Sequence, residues 1–267
     1  MNDYIDVSAL DLVLAASLLL VNLALSAVLR LGMGRRLLVA SARMVVQLLL
    51  LGFVLEWVFE SANGPAVFAI GLLMAVVAGI TAASRTSIRF PAAYLDSVVV
   101  IVSTAFLVTG VALLGILSPS PWWDPQYLIP LLGMLLGNAL TGISLGLDRF
   151  LTGVLRDRTR VEGFLALGAT RWEAARDEIR EALRVGLIPT VNSMLVMGIV
   201  SLPGMMTGQI LAGAAPADAV RYQIMIMFMI AATVATATFG VSMLAFARLF
   251  TSDHRLRHEA ELGIDLA

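Results

Sequence analysis

The chain has 267 residues, of which 59% are apolar and 14% are charged, with a formal net charge of −1. Soluble domains carry about a quarter charged residues, so this composition excludes an ordinary soluble domain and predicts several membrane spans. Cysteine is absent, which excludes disulfides, thiolate metal sites and cysteine nucleophiles. Lysine is absent too. A P-loop needs a lysine on its phosphates, so ATP hydrolysis by that route would require another chain.

The chain opens with the acidic run MNDYIDVSALD, whereas a secretory signal opens with positive charge. We therefore expect the first apolar segment to be a retained span. Seven segments are long enough to cross a hydrocarbon layer of about 30 Å. They cover residues 9–29, 37–58, 65–84, 93–117, 127–148, 185–204 and 222–249. The predicted fold is all-α, a polytopic helical bundle of about seven transmembrane helices, in one membrane domain over residues 1–267.

The arginines predict how the chain is oriented. If the spans alternate, nearly all arginines fall on one side, and Arg221 alone falls on the other. The arginines of the first side are Arg30, Arg35, Arg36, Arg43, Arg85, Arg89, Arg149, Arg156, Arg158, Arg160, Arg171, Arg176, Arg180, Arg184, Arg248, Arg255 and Arg257. Positive charge favours the cytoplasmic side. We therefore expect a multi-pass protein of the plasma (inner) membrane, with its N-terminus outside and its C-terminus in the cytoplasm.

A charged segment over residues 158–184 interrupts the apolar spans. Leu165, Trp172, Ala175, Ile179 and Leu183 recur at helical spacing, and charged side chains of both signs cover the rest. Gly168 predicts a bend between two short helices. Two interpretations stay open: an interfacial helix lying on lipid, or a docking helix for a cytoplasmic protein. The acids do not suit an anionic lipid surface: Glu162, Glu173, Asp177, Glu178 and Glu181.

The run EGFLALGATRW, residues 162–172, resembles the coupling segment of ABC transporter permeases, which reads roughly E-A-A-x-x-L-G-A in importers. Four residues match this pattern: Glu162, Leu167, Gly168 and Ala169. Gly163 and Phe164 depart from its two alanines.

Three longer runs resemble the FetB-like family, ABC-type iron-export permeases related to plant aluminium-tolerance permeases. They are ARMVVQLLLLGFVLEWVF (42–59), PTVNSMLVMGIVSLPGMMTGQILAG (189–213) and YQIMIMFMIAATVATATFGV (222–241). The resemblance implies a membrane subunit paired with a second copy and driven by a separate cytoplasmic ABC ATPase, which binds ATP–Mg. It implies no cofactor in this chain and export of iron or another metal. It also implies coupling to the ATPase through six residues: Glu162, Leu167, Gly168, Ala169, Arg171 and Trp172.

Polar, proline, glycine and methionine residues within or next to the spans are candidates for the transport pathway. They are Arg43, Gln47, Asn138, Asn192, Ser193, Pro203, Gly204, Met205, Met206 and Gln209. Several have a structural alternative. Arg43 can extend to the interface, and Asn138 can hydrogen-bond between helices. Met205 and Met206 can fill gaps rather than bind a soft metal, so any metal ligand stays unknown.

The break at Pro203 and Gly204 should face a dimer interior or a cavity, because unpaired backbone groups need protein or water at membrane depth. The outer loop SPSPWWDPQY (118–127) is an interfacial anchor or a substrate lid. The spans hold no cluster of carboxylates or histidines for a hard cation. A substrate complexed with an organic carrier, or a non-metal, therefore fits as well as a metal does.

Other functional classes fit less well. An ATPase-independent secondary transporter or channel is the alternative function, and it predicts ionisable residues in mid-span, whereas Asp96 and Asp148 lie towards span ends. A membrane enzyme would rest on Ser144 in a G-x-S-x-G pattern. The chain's two histidines, His254 and His258, lie in the tail. Beside Glu259 they have only a weak metal-site spacing. We therefore predict no enzyme, and no nucleic-acid partner.

Overall fold

The computed structural model describes residues 8–61, 63–258, 261 and 263. Most of the acidic N-terminus (residues 1–7) and Glu259 lie outside the described residues. The helices are α1 (Ala9–Ser17), α2 (Leu19–Val28), α3 (Gly34–Ser61), α4 (Gly64–Ser84), α5 (Pro91–Val111), α6 (Pro125–Leu155), α7 (Arg158–Ala166), α8 (Arg171–Val196), α9 (Gly204–Leu211) and α10 (Pro216–Leu249). A π-helical segment, Ala112–Leu117, continues α5. Over the described ranges, β pairing is limited to two isolated bridges. The predicted all-α bundle is confirmed.

Among the described residues, six helical runs are long and apolar enough to cross a membrane. They are Leu10–Val28, Gly34–Glu60, Gly64–Ser84, Pro91–Leu117, Pro125–Leu155 and Pro216–Leu249. These runs correspond to the first five predicted spans and the last one. Proline lies within the first two positions of α4, α5, α6 and α10, where its missing N–H costs no hydrogen bond.

The predicted sixth span, 185–204, is not a separate helix. Helix α8 joins the charged residues from Arg171 onward to the apolar residues up to Val196 without interruption. The change from charged to apolar side chains at residue 185 does not interrupt backbone hydrogen bonds, so hydropathy alone placed a boundary where none exists. Residues 197–203 then leave the helix, and α9 follows.

The chain forms two compact units: Met1–Ala62 with Leu211–Ala214, and Asn63–Ile210 with Ala215–Ala267. In the first unit, a tight turn with positive φ at Arg30 and Gly32 connects α2 to α3. None of the residues in the most apolar window of either of its spans is buried. These helices therefore present apolar surface that suits lipid or another protein. The single domain expected from the sequence stays a prediction.

In the second unit, α6, α8 and α10 meet at glycines. A Cβ at Gly142 would lie 2.6 Å from Val234 Cγ1, and one at Gly186 would lie 2.9 Å from the Gly142 carbonyl oxygen. A Cβ at Gly146 would overlap the Thr238 methyl group. Small residues at these positions let helix backbones approach closely, which is how helices associate in lipid. We call Gly142, Gly146, Gly186 and Thr238 the glycine crossing.

The second unit has two distinct ends. The charged end contains Asp96, Asp148, Arg149, Glu178 and Arg248, which are paired across helices. The broken end is residues 197–210, together with the start of α10. Helix α8 joins these ends, because Glu178 contacts Arg149 near the end of α6 and Met197 Sδ lies 4.0 Å from Gln223 Nε2 near the start of α10. It therefore traverses the unit although only its second half is apolar.

Candidate functional site

The charged end carries a turn between α7 and α8, which we call the junction (residues 164–173). Helix α7 ends at Ala166, and Gly168 has φ +92°, a conformation that favours glycine. Thr170 then caps α8: its hydroxyl accepts from the Glu173 N–H, and the Glu173 carboxylate accepts from the Thr170 N–H. The predicted bend at Gly168 is present, but α8 is long rather than short.

The five apolar residues that recur at helical spacing in the segment 158–184 do not all lie on one helix. Leu165 lies in α7, on a different helix from the others, because Gly168 ends α7 before α8 begins. Ala175 and Ile179 do share a face of α8, and both are buried. Since this face packs inside the unit, it is not free to lie on lipid.

Three large apolar side chains remain exposed at the junction. Phe164 is 46% exposed, Leu167 is 88% exposed and Trp172 is 43% exposed. Charged side chains surround them, including Glu162, whose carboxylate accepts from Arg158 Nε at 2.7 Å. Clustered exposed apolar groups with a polar rim are typical of protein-binding sites. We call Phe164, Leu167 and Trp172 the junction surface.

The C-terminal tail folds against the start of α8. His254 Nδ1 accepts a hydrogen bond from the Arg171 N–H at 3.2 Å, so the tail satisfies an otherwise orphan donor of the helix. The Arg171 guanidinium lies 5.6 Å from the centre of the Phe246 ring, and Trp172 meets the same ring edge-on at 6.0 Å. Arg171 and Trp172 are therefore held by α10 and the tail.

A metal site at the tail histidines stays a hypothesis. In the part of the chain that is described, no group of three or more histidine or acidic side chains is arranged to hold a metal ion. Glu259, which the sequence sets beside His258, lies outside the described residues.

Buried ion pairs organise the charged end. Asp96, although it lies near the start of α5, is buried and accepts from Arg248 of α10 at 2.6 and 2.7 Å. Asp148 accepts from the N–H and hydroxyl of Ser87, both at 2.6 Å. Both carboxylates lie towards helix ends, as the sequence suggested.

Glu178 is the residue that the sequence analysis misplaced. It was counted among surface charges, but only 5% of it is exposed. Its Oε2 accepts from Arg149 of α6 at 2.8 Å, and its Oε1 accepts from Arg160 of α7. The sequence did contain a signal: Glu178 lies three residues after Ala175 and four before Ala182, on the same face as these buried alanines.

Two groups at the junction have shifted pKa values. Although burial opposes the charged form, the Glu178 and Asp157 carboxylates raise the pKa of the Arg160 guanidinium above its ordinary value. The pKa of Glu173 is lowered, first by the Thr170 N–H and then by the Thr170 hydroxyl, which both donate to the charged carboxylate.

The broken end contains five of the pathway candidates. The helix stops at Val196, earlier than the predicted break, and Gly198 has φ +81°. Pro203 precedes α9, and its carbonyl accepts from the Thr207 N–H at 3.0 Å. The other four candidates lie on α9: Gly204, Met205, Met206 and Gln209. Ile199 and Val200 are 87% and 79% exposed, so this segment has little protein cover within the chain.

The remaining pathway candidates lie on exposed helix faces. Asn138 is exposed, and its amide donates to Met134 of its own helix at 2.8 Å, not across helices as one interpretation expected. Asn192 and Ser193 are exposed on α8. In the first unit, Arg43 and Gln47 lie one turn apart on α3 and are exposed.

The segment predicted as an outer loop (residues 118–127) folds onto the start of α4. The Trp122 ring lies 5.4 Å from that of Phe68. Trp123 Nε1 lies against Gly64, only 3.0 Å from where a Cβ would stand. These contacts hold the loop against α4, and both interpretations of it, interfacial anchor and substrate lid, stay predictions.

Comparison with known proteins identifies relatives across nearly the whole chain. A UPF0014 membrane protein of Synechocystis sp. is 38% identical over 221 residues, which cover 83% of this chain and 85% of that protein. The Escherichia coli protein named "Probable iron export permease protein FetB" is 32% identical, over 92% of this chain and 93% of its own length. The Arabidopsis thaliana protein named ALUMINUM SENSITIVE 3 is 31% identical, over 81% and 78%.

No solved structure matches the chain significantly. The family profile UPF0014, described as an uncharacterised protein family, matches residues 9–250. This match covers most of the chain, and relatives more than 30% identical agree with it. The resemblance to FetB and to plant aluminium-related proteins is confirmed. The chain is a multi-pass membrane protein that belongs to the UPF0014 family.

Proposed function

We propose that this chain is the permease subunit of an ABC transporter, driven by a separate cytoplasmic ATPase that binds ATP–Mg. The observation that carries the proposal is the junction surface. Leu167 is 88% exposed on a turn that the tail and a capping box hold in place. A chain without lysine has no P-loop of its own, so a docked ATPase would supply the energy.

The coupling role of the junction follows from its connection to α8. Glu162, Leu167, Gly168 and Ala169 lie on α7 and the turn, while Arg171 and Trp172 open α8. A force on the turn therefore reaches a helix that continues without interruption to the broken end. In this arrangement the charged end faces the cytoplasm of the inner membrane and the C-terminus is inside, in keeping with the arginine distribution.

Two copies of the chain would form the pathway. Asn138 is exposed on the membrane-spanning helix α6, and Asn192 is exposed in the apolar half of α8; amide groups facing lipid carry a cost. A second copy, or a water-filled pathway between copies, would remove that cost. The break before α9 needs the same cover, because its backbone is not helical.

We assign the cargo to iron or another metal, moved outwards, on the name of the Escherichia coli relative. The described spans hold no cluster of acidic and histidine side chains, so a metal would cross with few protein ligands or within a complex. Met205 and Met206 lie on α9 directly after the break and could offer soft sulfur donors. A strain lacking the gene should accumulate the metal; unchanged metal content and tolerance would reject this cargo.

The first test is purification of the tagged native protein in mild detergent, with its companions identified by mass spectrometry. We expect the wild-type chain to co-purify with a stoichiometric P-loop ATPase. The variant Leu167→Asp should lose this ATPase, because it places a charge in the exposed junction surface. Arg180→Ala, at an exposed position of α8, should retain the ATPase. A chain that purifies as a lone, well-folded oligomer and transports without any ATPase would instead be a secondary transporter or channel.

A further inference from the structure

Glu178 connects three helices through one carboxylate. It lies on α8 with its side chain 6% exposed, and its two oxygens accept from Arg149 of α6 and Arg160 of α7. Arg160 also pairs with Asp157 at 2.6 Å. The group therefore contains two positive and two negative charges, and one of the negative charges is buried.

The backbone of α6 has a place for this carboxylate. A Cβ at Gly153 would overlap Glu178 Oε2, so the carboxylate occupies the space that any other residue at 153 would fill. Charged groups are buried only when specific partners compensate for lost water. Gly153 leaves space for the Glu178 carboxylate, and Arg149 and Arg160 neutralise its charge.

Among the described contacts, few others hold α7 against the rest of the second unit. Val161 is the one buried side chain that the structure shows within this helix. The Arg158 guanidinium reaches the Arg257 carbonyl of the tail at 3.2 Å. The contact between Arg160 and Glu178 is thus the principal polar connection from α7 to α8 among those described.

We infer that Glu178 is a positioning residue that makes α7 move with α6 and α8 as one body. The inference rests on the proposed function for its consequence: displacement of the junction by an ATPase would reach α8 through this carboxylate as well as through the turn at Gly168. Without it, α7 would shift while the membrane helices stayed in place. The result would be ATP hydrolysis with little transport.

The first test measures the position of α7 directly and needs no ATPase. Because the chain has no cysteine, spin labels at Thr159→Cys on α7 and Arg184→Cys on α8 report one distance without background. We expect Glu178→Gln and Gly153→Ala to broaden this distance distribution. Asp177→Asn, an exposed acid next to Glu178, should leave it unchanged. An unchanged distribution in both site variants would overturn the inference.

A variant that keeps the buried charge compensated guards against misfolding. Arg160→Gln leaves Glu178 paired with Arg149 and removes the ion pair to α7, together with the exposed pair between Arg160 and Asp157. It should broaden the distance distribution while the thermal midpoint stays near that of the wild type. A narrow distribution in Arg160→Gln would contradict the inference even if Glu178→Gln did not fold.

The second test uses the complex with its ATPase, reconstituted in liposomes. We expect Arg160→Gln to lower transport per ATP hydrolysed by about tenfold while ATPase activity persists. Equal losses of both activities would mean a purely structural role. If no ATPase partner exists, the proposed function fails, and the distance measurement still decides the inference.

Discussion

The two ends of the second unit are built differently although α8 and α10 belong to both. At the charged end, Asp96 and Glu178 are buried and compensated by arginines from other helices. At the broken end, the pair of Asp218 and Arg221 lies 3.6 Å apart and is exposed, and the chain leaves the helix for seven residues, 197–203. Buried ion pairs between helices therefore hold the charged end together, whereas the ion pair described at the broken end is exposed.

The largest expected loss of stability is at the charged end. Arg248→Ala leaves the buried Asp96 carboxylate without its partner, and we expect a loss of about 3 kcal/mol in the free energy of unfolding. Arg221→Ala, on the same helix, removes an exposed ion pair and should cost less than about 1 kcal/mol. Unfolding of purified protein in detergent measures both. Similar losses would show that the two ends do not differ in this way.

The next effect concerns the glycine crossing between the ends. Gly146→Ala places a methyl group where the Thr238 side chain lies, and overpacking of this kind costs about 2 kcal/mol. Gly137→Ala, on the same helix, meets nothing within 4 Å and should be neutral or slightly stabilising. The thermal midpoints of the two variants measure this difference. If Gly146→Ala unfolds at the same temperature as the wild type, α6 can move away from α8 and α10 at little cost.

A smaller effect is expected at the broken end. Gly198 has φ +81°, so Gly198→Ala should cost about 1 kcal/mol through backbone strain although the space around it is open. Gly208→Ala in α9 also meets open space but has no such strain. We expect only the first variant to lower both stability and transport. If Gly198→Ala behaves like Gly208→Ala, the turn is not a defined feature of the fold.

The smallest effect is a pH dependence at the junction. The pKa of Glu173 is lowered from 4.5 in the folded state, so its capping contribution is fully present above that value and is lost as the pH falls through the folded pKa. A spin label at Leu167→Cys should become more mobile as the pH is lowered through this range. The same label in a Glu173→Gln background should show a much weaker response.

Much of this architecture could be predicted because hydropathy reports directly on which helices can cross a bilayer. Proline favours the first turn of a helix, and glycine favours the positive φ found at the α7–α8 bend, so both features follow from the local sequence. The bend at Gly168 was predicted in this way. These features depend on neighbours along the chain, so they need no knowledge of packing.

What could not be predicted depends on contacts between distant residues. Glu178 resembles its exposed neighbours in sequence, and only the approach of Arg149, 29 residues away, distinguishes it. The continuity of α8 was missed because a hydropathy change was treated as a helix end. The tail's contact with Arg171 spans 83 residues, and no local pattern indicates it.

The position of the glycine crossing along α8 has a mechanical consequence. Ala182 and Gly186 lie near the middle of the helix's 26 residues, so each arm extends about 20 Å from that point. Because Glu178 connects α8 to α6, these two helices would tilt together against α10 about this crossing. A tilt of about 10° would move the two ends of α8 by about 3 Å in opposite directions. A small displacement of the charged end would therefore produce an opposite displacement of the broken end.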